Sequence, residues 1–292
     1  MEILIEYFAV FGGLGWEIDT TKPLVVLIEE LILENFDILD KKMQEITLFE
    51  FKNQKLLHSF AVGDRRIFSA FNRSGLNNVS GGFSLNSLEA IGVVNVEYSR
   101  EEDARKLNSK GKVKREVARH RISHKVLFNQ PFIRFWFYFI FPFRREIKEN
   151  NYFNFKKNFQ KKQNSYTSLV FEELSNILLN YHLRDAQIVS SGSYWNAKLE
   201  IDIMTITDKD EIYVGECKWT NHKINKKEFH KIQDKCEKLS IDVKQIAFFS
   251  KRGFSKELRT LEGSFLALYD SEDFKVLLKN ISKDELIDSF IS

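Results

Sequence analysis

Two alternating segments joined by a polar turn constrain the fold of this chain more than any other feature. Apolar and polar residues alternate through residues 199–204 and again through residues 212–218, with the period of two that is typical of β-strands. Asp208, Lys209 and Asp210 lie between the two segments and indicate a turn. The pattern therefore predicts a β-hairpin centred on Lys209.

The predicted register brings charged side chains together. It pairs Asp202 with Glu216, and it places Glu200 opposite Lys218. Opposed residues on one face have Cβ atoms about 4.5–5.5 Å apart, so the two carboxylates would repel each other and one pKa would rise unless a cation lay between them. Mg²⁺, which prefers oxygen ligands, would relieve that repulsion. Lys218 could then orient or deprotonate a water, or stabilise charge on a phosphate oxygen.

A structural interpretation of the same residues stays open. Glu-x-Lys is common on exposed sheets, and Glu200 facing Lys218 would be a surface salt bridge worth roughly 0–1 kcal/mol. The surrounding pattern favours the functional interpretation. Apolar spacing predicts a helix over residues 166–179, with Thr167 or Ser168 as its N-cap. The segments after the hairpin are predicted as a helix at 225–239, a strand at 243–249, a helix at 254–261, a strand at 264–269 and one or two helices in the tail.

With these elements, the chain resembles the restriction-endonuclease-like PD-(D/E)XK nuclease superfamily. Asp202 matches the motif aspartate, and Glu216 with Lys218 matches the (D/E)XK element. Glu172, or alternatively Glu173, matches the acidic residue of the first helix. The resemblance implies a catalytic set and a metal-binding set, which are Asp202, Glu216, Lys218 and Glu172 for catalysis, and Asp202, Glu216, the backbone carbonyl of Cys217 and Glu172 for the metal.

A narrower resemblance is to the uncharacterised nuclease-like domain at the C-terminus of archaeal-type AAA ATPases. It covers roughly residues 120–270 and is carried by the aromatic segment 131–139 together with Phe171-Glu172, residues 200–203 and residues 215–219. Those relatives carry an ATPase domain, but this sequence has no Gly-x-x-x-x-Gly-Lys-Ser/Thr. We therefore expect no ATP binding or hydrolysis by this chain, and a separate ATPase or self-association as possible partnerships.

The N-terminal half predicts a winged-helix-like domain over residues 1–130. Four helices are predicted, at 24–33, 50–60, 64–73 and 84–91, followed by wing strands at 93–98 and 120–128. Residues 105–125 contain nine Lys or Arg and one acid, a composition typical of phosphate binding, although a solvated hairpin tip would have it too. The candidate nucleic-acid contacts are Lys112, Lys114, Arg115, Arg119 and Arg121.

Composition sets the remaining expectations. The chain has 292 residues, of which 43% are hydrophobic and 29% charged, which suits a two-part soluble protein. Two cysteines, Cys217 and Cys236, provide neither a disulfide framework nor a zinc spacing. The aromatic run 132–143 is too short to span a membrane, and no signal peptide is apparent, so we expect a cytoplasmic protein without a membrane partner.

These patterns predict an α+β or α/β protein. A helical winged-helix-like domain at 1–130 and a connecting segment at 131–163 would precede a restriction-endonuclease-like α/β/α domain with a mixed sheet at 164–292. The expected function is hydrolysis of phosphodiester bonds by an endonuclease-like enzyme that uses Mg²⁺ or Mn²⁺, with DNA as the expected substrate and RNA not excluded by the sequence. The alternative is a non-catalytic DNA-binding or regulatory protein that retains the nuclease scaffold and acts with a separate ATPase.

Overall fold

The chain forms two compact units. The computed structural model describes residues 1–101, 123–196 and 198–280. One unit, the helical unit, contains residues 2–98 and 123–167, and the other, the sheet unit, contains residues 99–101 and the described residues from 168 to 280. Residues 131–163, predicted as a connecting segment, lie within the helical unit.

The helical unit begins with six helices. They are α1 (Glu2–Phe11), α2 (Leu24–Ile28, continued by a π-helix at Glu29–Leu33), α3 (Phe36–Glu45), α4 (Phe51–Val62), α5 (Ile67–Ser74) and α6 (Asn78–Ala90). Of these, α1 and α3 were not predicted. The N-cap of α6 is Asn77, whose side chain accepts the Ser80 N–H at 2.9 Å.

Two antiparallel strands follow α6. Strand β1 (Val94–Glu97) pairs with β2 (Lys125–Phe128) in a register that places Val94 opposite Phe128. Three helices followed by two antiparallel strands is the order of a winged helix, and the described residues confirm the predicted helical N-terminal region. Both strands are shorter than the predicted segments.

The aromatic segment is helical and largely buried. It consists of α7 (Pro131–Phe135), a π-helix (Trp136–Ile140), a 3₁₀ turn (Phe141–Phe143) and α8 (Arg144–Lys148). Its fully buried side chains include Phe135, Trp136, Phe137 and Phe139. Across residues 1–101, 123–196 and 198–280, none of the helices combines the length and the apolar character that crossing a membrane requires.

Helix α9 (Phe153–His182) is 30 residues long, so the predicted start near residue 166 is wrong. Phe155 and Phe159 are buried and continue the apolar face upstream, into the predicted connecting segment. Thr167, predicted as a possible N-cap, is instead inside the helix, where its Oγ1 donates to the Gln163 carbonyl at 3.0 Å. The residues of α9 from Ser168 onward belong to the sheet unit.

The sheet unit contains a mixed five-stranded sheet in the order β3-β6-β7-β8-β9. Strands β3, β6 and β7 are successively antiparallel, whereas β7, β8 and β9 run parallel. The five strands are β3 (Ile188–Ser190), β6 (Ile203–Thr207), β7 (Ile212–Lys218), β8 (Val243–Ser250) and β9 (Leu266–Asp270). Strands β4 (Tyr194–Trp195) and β5 (Glu200–Ile201) form a separate two-stranded ladder.

Helices lie on both faces of this sheet. Helices α10 (Lys226–Leu239) and α11 (Lys256–Arg259) contribute Phe229, Ile232 and Leu258 to a core shared with β6–β9. On the opposite face, Phe171 of α9 contacts Trp219 and Phe274, the latter just before α12 (Lys275–Asn280). The α/β/α arrangement with a mixed sheet agrees with the predicted fold class.

Two short segments complete the sheet unit. Residues 190–195 contain the last residue of β3 and all of β4, and Trp195 is fully buried. The Arg100 guanidinium donates to the carbonyls of Met204, Gly192 and Ser193, each at 3.0 Å. Residues 99–101 are therefore hydrogen-bonded to β6 and to the segment between β3 and β4.

Candidate active site

The β6–β7 hairpin has the predicted register. Ile203 pairs with Gly215 and Ile206 with Ile212, and the next positions along the two strands are Asp202 and Glu216. The backbone bends at Asp202, between β5 and β6, and Glu200 pairs with Trp195 in the other ladder. The predicted Glu200–Lys218 pair is therefore not part of the hairpin ladder, because that bend interrupts the strand.

The Asp202 carboxylate contacts the backbone of β7 near the end of that strand. It is partly buried, and its Oδ2 accepts the backbone N–H of Cys217 at 2.8 Å. Burial and the negative charges of Glu216 and Glu172 raise the pKa of Asp202 from 3.8 to about 7, although the Cys217 N–H and Lys218 act in the opposite direction. Burial is the larger cause, and the repulsion inferred from the sequence adds to it.

The Glu216 carboxylate is held by two lysines. It is 7% exposed, and its Oε1 lies 2.5 Å from Lys218 Nζ while its Oε2 lies 2.8 Å from Lys235 Nζ. Burial acts to raise the pKa of Glu216, but the two ammonium groups outweigh burial and lower it. Burial likewise acts to lower the pKa of Lys218, but Glu216 outweighs that effect and raises it, so Lys218 is an ammonium donor in this arrangement.

Cys217 points away from the two charged residues that flank it, because successive side chains of a strand lie on opposite faces. Its thiol is buried near Ser175 of α9, and burial, followed by the charges of Asp202 and Glu172, raises its pKa well above 9.0. A thiol with a raised pKa is a poor nucleophile at neutral pH because little thiolate forms. The side chain of Cys217 is therefore structural, and only its backbone carbonyl remains a candidate ligand.

The donor set fits a hard cation with few protein ligands. Asp202 and Glu216 are adjacent carboxylates, and Glu172 on α9 is close enough to raise the pKa of Asp202. Within the part of the chain that the structure describes, no three His, Cys, Asp or Glu side chains are grouped to hold a metal ion. Mg²⁺ is commonly bound by one or two carboxylates, with waters and substrate phosphates completing the shell, so two carboxylates are sufficient for this ion.

Two further lysines near the hairpin were missed as site residues. Lys235 lies on the helix predicted at 225–239, and its contact with Glu216 joins residues 19 positions apart on a helix and a strand. Lys251 follows β8, is 8% exposed, donates its backbone N–H to the Lys218 carbonyl and places its Nζ 4.5 Å from the centre of the Trp219 ring. Strand periodicity alone carries no signal for either contact.

The predicted nucleic-acid contacts lie outside the described residues. They are Lys112, Lys114, Arg115, Arg119 and Arg121. At the end of the same basic run, Lys125 is 2% exposed, so its side chain is buried rather than available to a phosphate. Helix α6, which follows α4 and α5 as a recognition helix would, contains no Lys or Arg, and it exposes Val79 and Phe83. Any contact between α6 and DNA would thus lack charge neutralisation of phosphates.

Comparison with known proteins gives one match. Residues 136–232 match the model of a family described as archaeal and bacterial proteins of unknown function. The matched segment is about a third of the chain and contains Glu172, Asp202, Glu216 and Lys218, while Lys235 lies just beyond it. No curated protein and no solved structure matches the chain.

Proposed function

We propose that the protein is a metal-dependent nuclease-like enzyme that hydrolyses phosphodiester bonds in DNA, with Mg²⁺ or Mn²⁺ as cofactor. The observation that carries this proposal is the pair of carboxylates at the end of the β6–β7 hairpin. Asp202 has a pKa of about 7 because it is buried and lies near the carboxylates of Glu216 and Glu172, and Glu216 is 7% exposed. The charged form of Asp202 opposes folding, so the pair is a poor arrangement for a merely structural purpose, but it is suited to holding a divalent cation.

Each side chain has a distinct role in this proposal. Asp202 and Glu216 would hold the cation, with the Cys217 carbonyl as a further ligand and Glu172 as support. When bound, the ion would polarise the phosphate and lower the pKa of a water. Lys218, which already donates from Nζ to Glu216, would direct that ammonium to a phosphate oxygen or the attacking water.

Cleavage of supercoiled and linear DNA with Mg²⁺ or Mn²⁺ tests this proposal. Asp202→Asn keeps the size of the side chain and removes its charge, and Lys218→Met removes the ammonium. Asp208→Asn, in the exposed turn of the same hairpin, is the matched control. We expect chelation and the first two substitutions each to reduce cleavage by at least about 100-fold, and the control to retain it. Cleavage that survives both substitutions would refute the assignment.

A second candidate is supported by the two lysines on Glu216. Because Lys218 and Lys235 already compensate its charge, the same residues could stabilise a scaffold that has no turnover. Such a protein would bind DNA with a steep dependence on salt and would cleave it with none of the divalent ions. The two functions are distinguished by running DNA binding and DNA cleavage on the same preparation.

A further inference from the structure

The second lysine on Glu216 comes from a helix rather than from the hairpin. Lys235 lies on α10 between Ile232 and Cys236, both of which are buried against the sheet. This placement directs Lys235 toward the strands, and its side chain is 29% exposed compared with 66% for Lys231, one turn earlier. Lys231 instead pairs with Glu228 on its own helix at 2.7 Å.

The two ammonium groups donate hydrogen bonds to different oxygens of the Glu216 carboxylate. Lys218 Nζ is 2.5 Å from Oε1 and Lys235 Nζ is 2.8 Å from Oε2, so each oxygen already has a cationic partner. A divalent cation that approached Glu216 would be repelled by both ammonium groups, and each oxygen has only one further lone pair to offer it. Metal binding is therefore favoured when one lysine moves away from the carboxylate.

The geometry indicates which lysine gives way. Lys218 is two residues from Glu216 on the same strand, and that strand is hydrogen-bonded on both sides, so the backbone holds the Lys218 side chain beside Glu216. Lys235 is about as exposed as Lys218, at 29% and 31%, but it reaches Glu216 from another element, and its long side chain can rotate toward water at little cost. The ion pair with Lys235 is therefore the one that we expect to open.

We propose that Lys235 is a positioning residue that competes with the divalent cation for Glu216. It holds the carboxylate as an internal counter-ion when no metal is bound, and it releases Oε2 when the metal arrives. This inference rests on the metal site proposed above. Lys235 thereby lowers the affinity of the site for the cation below the value that the carboxylates alone would give.

Calorimetric titration of the full chain with Mn²⁺ in the absence of nucleic acid tests this inference. Lys235→Met removes the ammonium but keeps most of the side chain, and Lys235→Gln provides a second neutral variant if the first fails to fold. Lys231→Met is the matched control, because it removes one charge from the same helix. We expect both Lys235 variants to bind Mn²⁺ about tenfold more tightly than the wild type, a factor that corresponds to about 1.4 kcal/mol. The control and Lys235→Arg should not bind Mn²⁺ more tightly.

The outcomes separate this inference from the proposed function. If Mn²⁺ binding by the wild type is absent or survives Asp202→Asn, the proposed metal site is wrong. If the wild type binds Mn²⁺ through Asp202 but the neutral Lys235 variants bind it equally or more weakly, the metal site stands and the role of Lys235 is refuted. A purely structural ion pair would lower the unfolding midpoint of the Lys235 variants without tightening Mn²⁺ binding.

Discussion

Replacing Asp202 with asparagine should stabilise the metal-free protein at neutral and alkaline pH. The substitution keeps the shape of the side chain, and the amide oxygen can still accept the Cys217 N–H that now reaches Asp202 Oδ2 at 2.8 Å. It also removes a negative charge that burial, Glu216 and Glu172 all oppose. The amide hydrogens can donate to the neighbouring carboxylates, which the native carboxylate cannot do.

The size and sign of this effect follow from the pKa of Asp202. An acid whose pKa is raised on folding binds its proton more tightly in the folded state, so the free energy of unfolding falls as pH rises from about 4 to about 7 and is level above that range. A pKa raised from 3.8 to about 7 corresponds to about 4 kcal/mol, at about 1.4 kcal/mol for each tenfold change in proton affinity. Because Asp202 is partly exposed, solvent screening reduces this, and we expect about 2–4 kcal/mol at pH 8.

Hydrogen exchange in peptides that contain β6 and β7 is a suitable assay, because it reports on the hairpin alone in a chain with two units. Wild type and Asp202→Asn would be compared with a chelator present between pH 5 and pH 8. The difference in opening free energy should grow with pH, while the titration of Glu216 is shared by both proteins and largely cancels. An excess of Mg²⁺ should reduce the difference, since it stabilises only the wild type.

Two results would refute this reasoning. If the two proteins have parallel pH dependences, the Asp202 carboxylate is not destabilised by its surroundings. If Asp202→Asn is less stable than wild type at pH 8 without metal, the carboxylate contributes a favourable contact that exceeds the electrostatic repulsion. Asp208→Asn serves as the control. Because Asp208 is an exposed turn residue, this substitution should leave the opening free energy unchanged at both pH 5 and pH 8.

Three further substitutions test the structure that supports the site. Gly215→Ala should destabilise the sheet unit by about 1–3 kcal/mol in urea unfolding, because the added Cβ would lie 3.0 Å from Ile203 Cβ and 3.2 Å from the Phe249 ring; an unchanged midpoint would mean that the strands adjust freely. Asn225→Ala should lower the free energy of unfolding by about 1 kcal/mol, because the Asn225 side chain caps α10 by accepting the Lys227 N–H at 2.9 Å. Asn225→Ser should retain most of the wild-type thermal stability, because serine can also cap the helix. Arg100→Met should destabilise the sheet unit by about 2–4 kcal/mol because three carbonyls lose a charged donor; protease resistance equal to wild type would contradict this.

The parts of the fold that the sequence predicts are those that depend on local signals. The β6–β7 register follows from two alternating segments and a short polar turn, so it requires no knowledge of distant contacts. Helix α10 has both an Asn cap and an apolar stripe, and its predicted bounds differ from the observed ones by one residue. The proximity of Asp202 and Glu216 can also be predicted from local signals, because both residues belong to the β6–β7 hairpin.

The features that the sequence does not predict depend on tertiary packing. The start of α9 was misplaced because Phe155 and Phe159 are spaced among lysines, and only burial reveals that they form an apolar face. The burial of Trp195 and the contact of Lys235 with Glu216 both arise from elements that meet only in the folded sheet unit. For the same reason, the sequence indicates repulsion at Asp202 but not the larger contribution of burial to its pKa.

The hairpin also has a consequence for the order of folding events. Asp202 and Glu216 are 14 positions apart, so closing the chain between them costs little entropy, and hairpins of this kind form within about 1–10 μs. Strands β8 and β9 run parallel to β7 and can join it only after the longer crossovers through α10 and α11. The two carboxylates therefore meet early, before α10 brings Lys235 to Glu216. Until that helix docks, the nascent sheet carries a repulsion that only Lys218 or a cation from solution can reduce.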